Sequence, residues 1–284
     1  MITANNQFIA KKVLARLGQY QIKPDEKLGQ HFLIDDAVIR QIAVTVLPER
    51  LVIEVGAGVG QLTEVLAARA KKVIAIEIDP RFEPALKDVA KRFPNVEVVI
   101  ADAIKIDFKK YGVTPHIVSS LPFHISEPFF QKLAANSIKT ATLLVGDRLA
   151  RKIAAPNGKS PNFGLLTVLV QTFFRQRVLG LVAKKSFSPV PRTDATLISL
   201  IPKEEQEIRE NKRDFLFRRL ILTAGQSPLI KNSLKEALIE KAGLLTQNRA
   251  RAQIMAMGLP NKILEKPFPQ LNNSELRSLF VALS

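Results

Sequence analysis

The feature that most constrains this chain is a short apolar run that ends on glycines. "RLVIEVG" has the length and the Val/Ile content of a buried strand. It continues through "AGVG" directly into "QLTEVLAARA", which has helical spacing, and "KKVIAIEID" follows as a second strand. A strand, a tight turn, a helix and another strand at this spacing form a parallel crossover unit, which commits the chain to an α/β sheet. Gly56, Gly58 and Gly60 let the turn bend sharply and let a ligand approach the backbone. The amide end of the following helix faces the same place. The spacing is G-x-G-x-G, with Gln61 where a dinucleotide fingerprint has its third glycine, so the turn fits a nucleoside ligand without a pyrophosphate.

The alternation continues downstream. "RFEPALKDVAKRF" predicts a helix with Pro84 in its first turn, and "VEVVIAD" and "HIVSSLPF" predict the third and fourth strands. A helix-like piece near Pro128 to Ala135, apolar runs at "ATLLVG" and "LLTVLVQTFF", and a late strand at "ATLISLI" complete this part. Upstream, "DDAVIRQIAVTVL" predicts a helix capped by Asp35 or Asp36, and the basic, polar segment up to Gly29 reads as an arm. Beyond Pro202 the pattern becomes charged and helical. "NSLKEALIEKAG" has Asn232 or Ser233 as its cap and Gly243 as its stop, and "NNSELRSLFVAL" has Asn273 or Ser274 as its cap. The expected division is 1–203 as an α/β domain with a basic arm and 204–284 as a small helical domain.

With no cysteine among 284 residues, disulfides, thiolate metal sites and cysteine nucleophiles are excluded. His31, His116 and His124 have no ligand spacing, so no metal is expected. No apolar run reaches membrane length and no signal-peptide core opens the chain, so a soluble, cytoplasmic protein is expected. The formal charge of +16 directs the chain toward polyanions. Between Arg148 and Thr193 there are nine basic residues and no acidic one: Arg148, Arg151, Lys152, Lys159, Arg175, Arg177, Lys184, Lys185 and Arg192. A solvated face mixes both signs, whereas a one-signed stretch suggests a phosphate-backbone footprint.

Acids sit at the ends of the predicted strands. Glu77 ends the second strand, where a carboxylate can accept both hydroxyls of a ribose, with Asp79 two residues on as its rival. Asp102 ends the third, within reach of an adenine amine. Glu54 precedes the glycine turn, either bracing the loop or meeting a positive ligand group. At the end of the fourth strand, "SSLPFHIS" puts Ser119, Ser120, Leu121, Pro122 and Phe123 where ligands bind in such sheets. The Ser120 side chain and Leu121 carbonyl can hold the hydrogens of an exocyclic amine and turn its lone pair toward a methyl sulfonium. Pro122 stiffens the turn and Phe123 can stack on a flipped-out base. Such a step needs orientation and fixed dipoles rather than a base before the attack.

Taken together, these motifs resemble the ribosomal RNA adenine N6-dimethyltransferase family, which also includes the macrolide-resistance RNA methyltransferases; the housekeeping small-subunit branch is the more similar. "KLGQHFLID" resembles the family's cofactor-lid motif, with Gln30, His31 and Leu33 over the cofactor. "IEVGAGVGQLTEVL" resembles its glycine motif. "VIAIEID" carries the ribose acid Glu77 beside Ile78, and "VIADAIKID" the adenine acid Asp102 beside Ala103. "FSPVPRTDATLISL" and "LPNKILEKPFPQLNNSELRSLF" resemble the closing segments of its two domains. The resemblance implies a Rossmann-like, seven-stranded class I methyltransferase sheet with an antiparallel last strand and a small C-terminal helical domain. It also implies S-adenosyl-L-methionine as cofactor, with Glu54, Gly56, Gly58, Gly60 and Ser119 beside it. The implied substrate is a pair of adjacent adenines in the 3′-terminal hairpin of small-subunit ribosomal RNA, so the small ribosomal subunit is the expected partner of a monomeric enzyme. Lys11, Lys12, Arg148, Arg151, Lys152, Lys159, Lys184, Lys185 and Arg192 are the candidate RNA contacts. The chain departs from the family pattern at Ser120, where the family has Asn, at Gly146–Arg148 for Gln-Lys-Glu, and at Gln226–Pro228 for a basic cluster. These departures keep two alternatives: an RNA-binding assembly factor on the same fold, and a methyltransferase with another RNA acceptor.

Overall fold

The computed structural model describes residues 7–112, 114–121, 125–155, 160–226, 228–242 and 246–284. The chain forms two compact units that interleave in sequence, one of residues 1–150 and 177–201 and the other of 151–176 and 202–284.

The first unit opens with α1 (Gln7–Gln19), β1 (Phe32–Leu33) and α2 (Asp36–Thr45). The alternating core follows as β2 (Leu51–Val55), α3 (Gln61–Ala67), β3 (Lys72–Glu77), α4 (Glu83–Arg92), β4 (Val96–Ile100), β5 (His116–Ser120), α5 (Ser126–Ala135) and β6 (Thr140–Gly146). The chain then passes through α6 (Asp147–Ile153) and α7 (Leu165–Phe173), the latter a helix of the second unit, before β7 (Phe174–Val182), β8 (Phe187–Ser188) and β9 (Ala195–Pro202). Seven strands form one sheet in the order β4-β3-β2-β5-β6-β9-β7. Strands β2 to β6 pair in parallel, and β9 runs antiparallel to β6, as the Rossmann-like methyltransferase pattern requires. Strand β1 pairs separately with β8, Phe32 opposite Ser188 and Leu33 opposite Phe187. The order reverses between β2 and β5, and ligands bind such sheets at this switch point.

Local sequence explains most boundaries. Asp35 caps α2 by accepting from the Ala37 and Val38 amides, and Pro84 sits in the first turn of α4. The segment read as an arm contains a docked helix. Ile9, Val13 and Leu17, spaced by four, bury one face of α1 in the core of the sheet unit. Lys12 on this helix bonds Glu64 of α3, whereas Lys11 is exposed.

The second unit adds α8 (Glu205–Glu210), α9 (Lys212–Leu222), α10 (Ile230–Ala242), α11 (Gln247–Ala256), α12 (Asn261–Leu264) and α13 (Asn273–Leu283). Phe217 lies at its centre, with ring centroids 5.8 Å from Phe280 and 6.1 Å from Phe268. Two caps differ from expectation. Helix α10 begins at Ile230, so Asn232 and Ser233 lie inside its first turn, and Ser233 is buried. Asn272 rather than Asn273 or Ser274 caps α13, exchanging bonds with Glu275 in a capping box. The expected stop at Gly243 lies outside the described residues. Among the described residues no helix is long and apolar enough to cross a membrane.

Candidate active site

The carboxyl ends of β2, β3, β4 and β5 open into a cleft of about 910 Å³, its open mouth included. Its walls include the glycine turn after β2, Glu77 and Ile78 after β3, Asp102 and Ala103 after β4, and Ser120 at the end of β5. The segment from Leu28 to Leu33 lines it from the remaining side.

The turn is shaped by close contact. Gly58 has φ +54°, and a Cβ there would lie 3.0 Å from the Phe32 ring. Gly60 has φ +80°, and its Cβ would fall 2.8 Å from Val89 Cγ2. Both the backbone angle and the space therefore require glycine. Arg16 braces the turn from behind. Its Nη1 donates to the Val59 carbonyl at 2.8 Å, and its other nitrogen joins Lys12 and Arg92 on the buried carboxylate of Glu64. These cations hold Glu64 below the usual carboxylate range, against the opposing effect of burial.

Glu77 is 7% exposed. Its Oε2 accepts from the Gly58 amide at 2.8 Å and its Oε1 from the Asp79 amide at 2.9 Å. Burial pushes its carboxyl up and these amides oppose the rise. The carboxylate is thus fixed across the cleft floor with lone pairs left for a ligand. Asp79 has a different task. It accepts from Arg81 and from Gln30 Nε2 at 2.8 Å, tying the Leu28–Leu33 segment to the end of β3. The Arg81 guanidinium holds Asp79 below its ordinary value. Asp102 accepts from the Ile104 amide at 2.9 Å and is partly exposed. Ile78, although apolar, is 58% exposed at the rim.

The cleft brings together Gln30, His31, Leu33, Gly56, Gly58, Glu77, Ile78, Asp102, Ala103 and Ser120. Glu54, Gly60 and Ser119 stand outside its lining. Burial pushes Glu54 up to about 8, the Thr63 hydroxyl opposing and the Glu77 charge adding, so it is largely protonated at neutral pH. Ser119 donates to the Val55 carbonyl at 2.8 Å and joins β5 to β2. Leu121 lines a smaller space beside the cleft. Pro122 and Phe123 lie outside the described residues, as does Lys159. Arg148, Lys184, Lys185 and Arg192 are exposed on the first unit; in the second, Arg151 is exposed and Lys152 half-buried. Sequence reasoning missed Gln61 as a wall of the cleft, its buried Oε1 without a partner among the described residues. The signal was present in the glycine spacing, where Gln61 served only to exclude a dinucleotide.

The chain matches the family model described as ribosomal RNA adenine dimethylase over residues 22–261. It is 34% identical over 236 residues to ribosomal RNA small subunit methyltransferase A of Thermotoga petrophila, covering 82% of this chain and 88% of that protein. Its fold is similar to the crystal structure of a dimethyladenosine transferase from Plasmodium falciparum, with a TM-score of 0.59, 25% identity, and coverage of 86% and 94% of the two chains. It is also similar to the 23S rRNA methyltransferase ErmE, with a TM-score of 0.58, 27% identity, and coverage of 89% and 99%.

Proposed function

This chain belongs to the ribosomal RNA adenine dimethylase family, whose members methylate RNA adenines using S-adenosylmethionine, and we propose that its acceptors are the N6 amines of two adjacent adenines in the 3′-terminal hairpin of small-subunit ribosomal RNA. The observation that carries the reading is the convergence of Glu77, Asp102 and Ser120 on one cleft at the switch point of the sheet. The small subunit, rather than the large, is favoured by the sequence relatives.

The residues present fit the cofactor. The unpartnered Gln61 oxygen and the fixed Glu77 carboxylate offer acceptors, and the glycine turn allows close backbone approach. Glu77 would hold the ribose hydroxyls, Asp102 the adenine amine, and Ile78 and Ala103 the faces of the ring. When bound, the cofactor supplies an electrophilic methyl on a sulfonium. Ser120 and the Leu121 carbonyl then position the acceptor amine, with Phe123 stacking on the base. Exposed Arg148, Lys184, Lys185 and Arg192, with Lys11, Arg151 and Lys152, contribute to holding the phosphate backbone.

The test uses undermethylated small ribosomal subunits and cofactor labelled on its methyl group, with product nucleosides identified by mass. Dimethyladenine in the terminal hairpin is expected. Label in another nucleoside would replace the acceptor, and absence of label with cofactor and subunit both bound would favour an assembly factor. Ser120→Asn tests the family departure directly. If the serine hydroxyl costs one acceptor bond, the variant gains about tenfold to a hundredfold in rate.

A further inference from the structure

Gly29, His31 and Ser120 line both the cofactor cleft and the smaller space beside it, so they stand at the junction of the two. His31 is held there by the pairing of β1 with β8, which sets the residue before Phe32 against the residue after Ser188. Its Nδ1 lies 2.9 Å from the Pro189 carbonyl oxygen. A carbonyl has no proton to give, so Nδ1 carries the hydrogen and donates it. A neutral imidazole has one such hydrogen, and Nε2 is left as a bare lone pair.

We propose that His31 is a catalytic residue, its Nε2 accepting a hydrogen of the RNA amine and then taking that proton once the nitrogen is methylated. The proposal rests on the functional reading above and deepens it. A primary amine presents two hydrogens; the Leu121 carbonyl takes one, and for the other the short Ser120 hydroxyl is a weak substitute for an amide acceptor. The imidazole lone pair supplies the second acceptor from across the junction. The balance is simple. The amine nitrogen forms the new N–C bond with its lone pair, the C–S pair stays on sulfur, and the nitrogen becomes cationic. The N–H pair then returns to nitrogen as the proton moves to Nε2. The resulting imidazolium keeps its Nδ1–H on Pro189 and releases the new proton to solvent. Among the described residues, the other ionisable groups facing these two spaces are Glu77 after β3, Asp102 after β4 and Asp194 before β9, the last accepting from the Lys184 amide.

Two measurements test this. Long-range proton–nitrogen spectra of protein labelled at histidine nitrogen, assigned by His31→Asn, report the ring state without turnover. A protonated Nδ1 with a bare Nε2 is expected, and the opposite tautomer overturns the proposal. Single-turnover methylation of undermethylated small subunits is then compared for wild type and His31→Ala. The variant should be about tenfold to a hundredfold slower at saturating cofactor, its cofactor affinity being measured separately by calorimetry, and added imidazole should restore part of the rate. An unchanged rate, or a loss explained wholly by cofactor affinity, overturns the proposal while leaving the function intact. Wild type that binds cofactor and subunit yet transfers no methyl overturns both.

Discussion

Glu77→Gln is the most informative single change in the cleft, because it nearly preserves shape while altering charge and acceptor count. In the wild type one carboxylate oxygen accepts from Gly58 and the other from Asp79. A carboxamide has one oxygen, so its NH₂ must face one of these amides, leaving that amide unsatisfied at a cost of about 1–3 kcal/mol. Against this, Gln removes a buried charge that the folded protein already disfavours, as the upward shift of Glu77 shows. The two effects oppose, and thermal stability should change little. Cofactor affinity has no such offset. One charge-assisted acceptor for the ribose is lost and the other becomes neutral, which together cost about 2–3 kcal/mol. The dissociation constant should therefore rise about 30- to 150-fold. Isothermal titration of the purified protein with cofactor reads this directly, beside a melting curve. An affinity within twofold of wild type would refute the assignment of Glu77 to the ribose, and a collapse in melting temperature would show that its role is structural.

Three further outcomes follow from particular contacts. Asp214→Ala removes the buried partner of Lys203, whose Nζ lies 2.5 Å from Asp214 and also donates to the Gln171 carbonyl at 2.7 Å; urea unfolding should show a loss of about 3–5 kcal/mol, and a loss below 1 kcal/mol would mean the pair relaxes into water. The double change Lys184→Gln with Lys185→Gln should weaken RNA binding and make the slope of log affinity against log salt shallower by about 2, leaving cofactor affinity unchanged, whereas an unchanged slope would remove these lysines from the footprint. Burial lowers His116 to about 4, so the unfolded chain takes up the proton first as the pH falls through its ordinary 6.5; this group's contribution to stability is lost between about 6.5 and 4, amounting to about 3 kcal/mol at pH 4, and the wild-type and His116→Asn stability–pH curves should differ by that slope.

What could be read from sequence was whatever a short stretch determines by itself. Val52 to Val55 had to form a buried strand, the glycines after it had to form a tight turn, and Glu77 and Asp102 had to emerge at strand ends, because strand geometry fixes where the last residue points. Pairings between distant segments were not readable. Strand β1 has only two residues, too few to show any period, and its partner β8 lies more than 150 residues away. Arg16 reaches a carbonyl 43 residues on, and nothing local distinguishes it from other basic residues of a presumed arm. Likewise "LLTVLVQTFF" shows apolarity, yet apolarity does not say which of two cores it serves, and α7 packs with α9 in the second unit. The same limit governs the chemistry. Read alone, Ser120 is a loss of an acceptor relative to the family pattern, and His31 is one residue of a cofactor-lid motif. Only the β1–β8 pairing makes them neighbours of the same junction and fixes which imidazole nitrogen is bare. A departure that weakens one acceptor is then to be judged by the acceptors its fold brings beside it, and Ser120→Asn measured in both wild-type and His31→Ala backgrounds would separate the two contributions by their coupling.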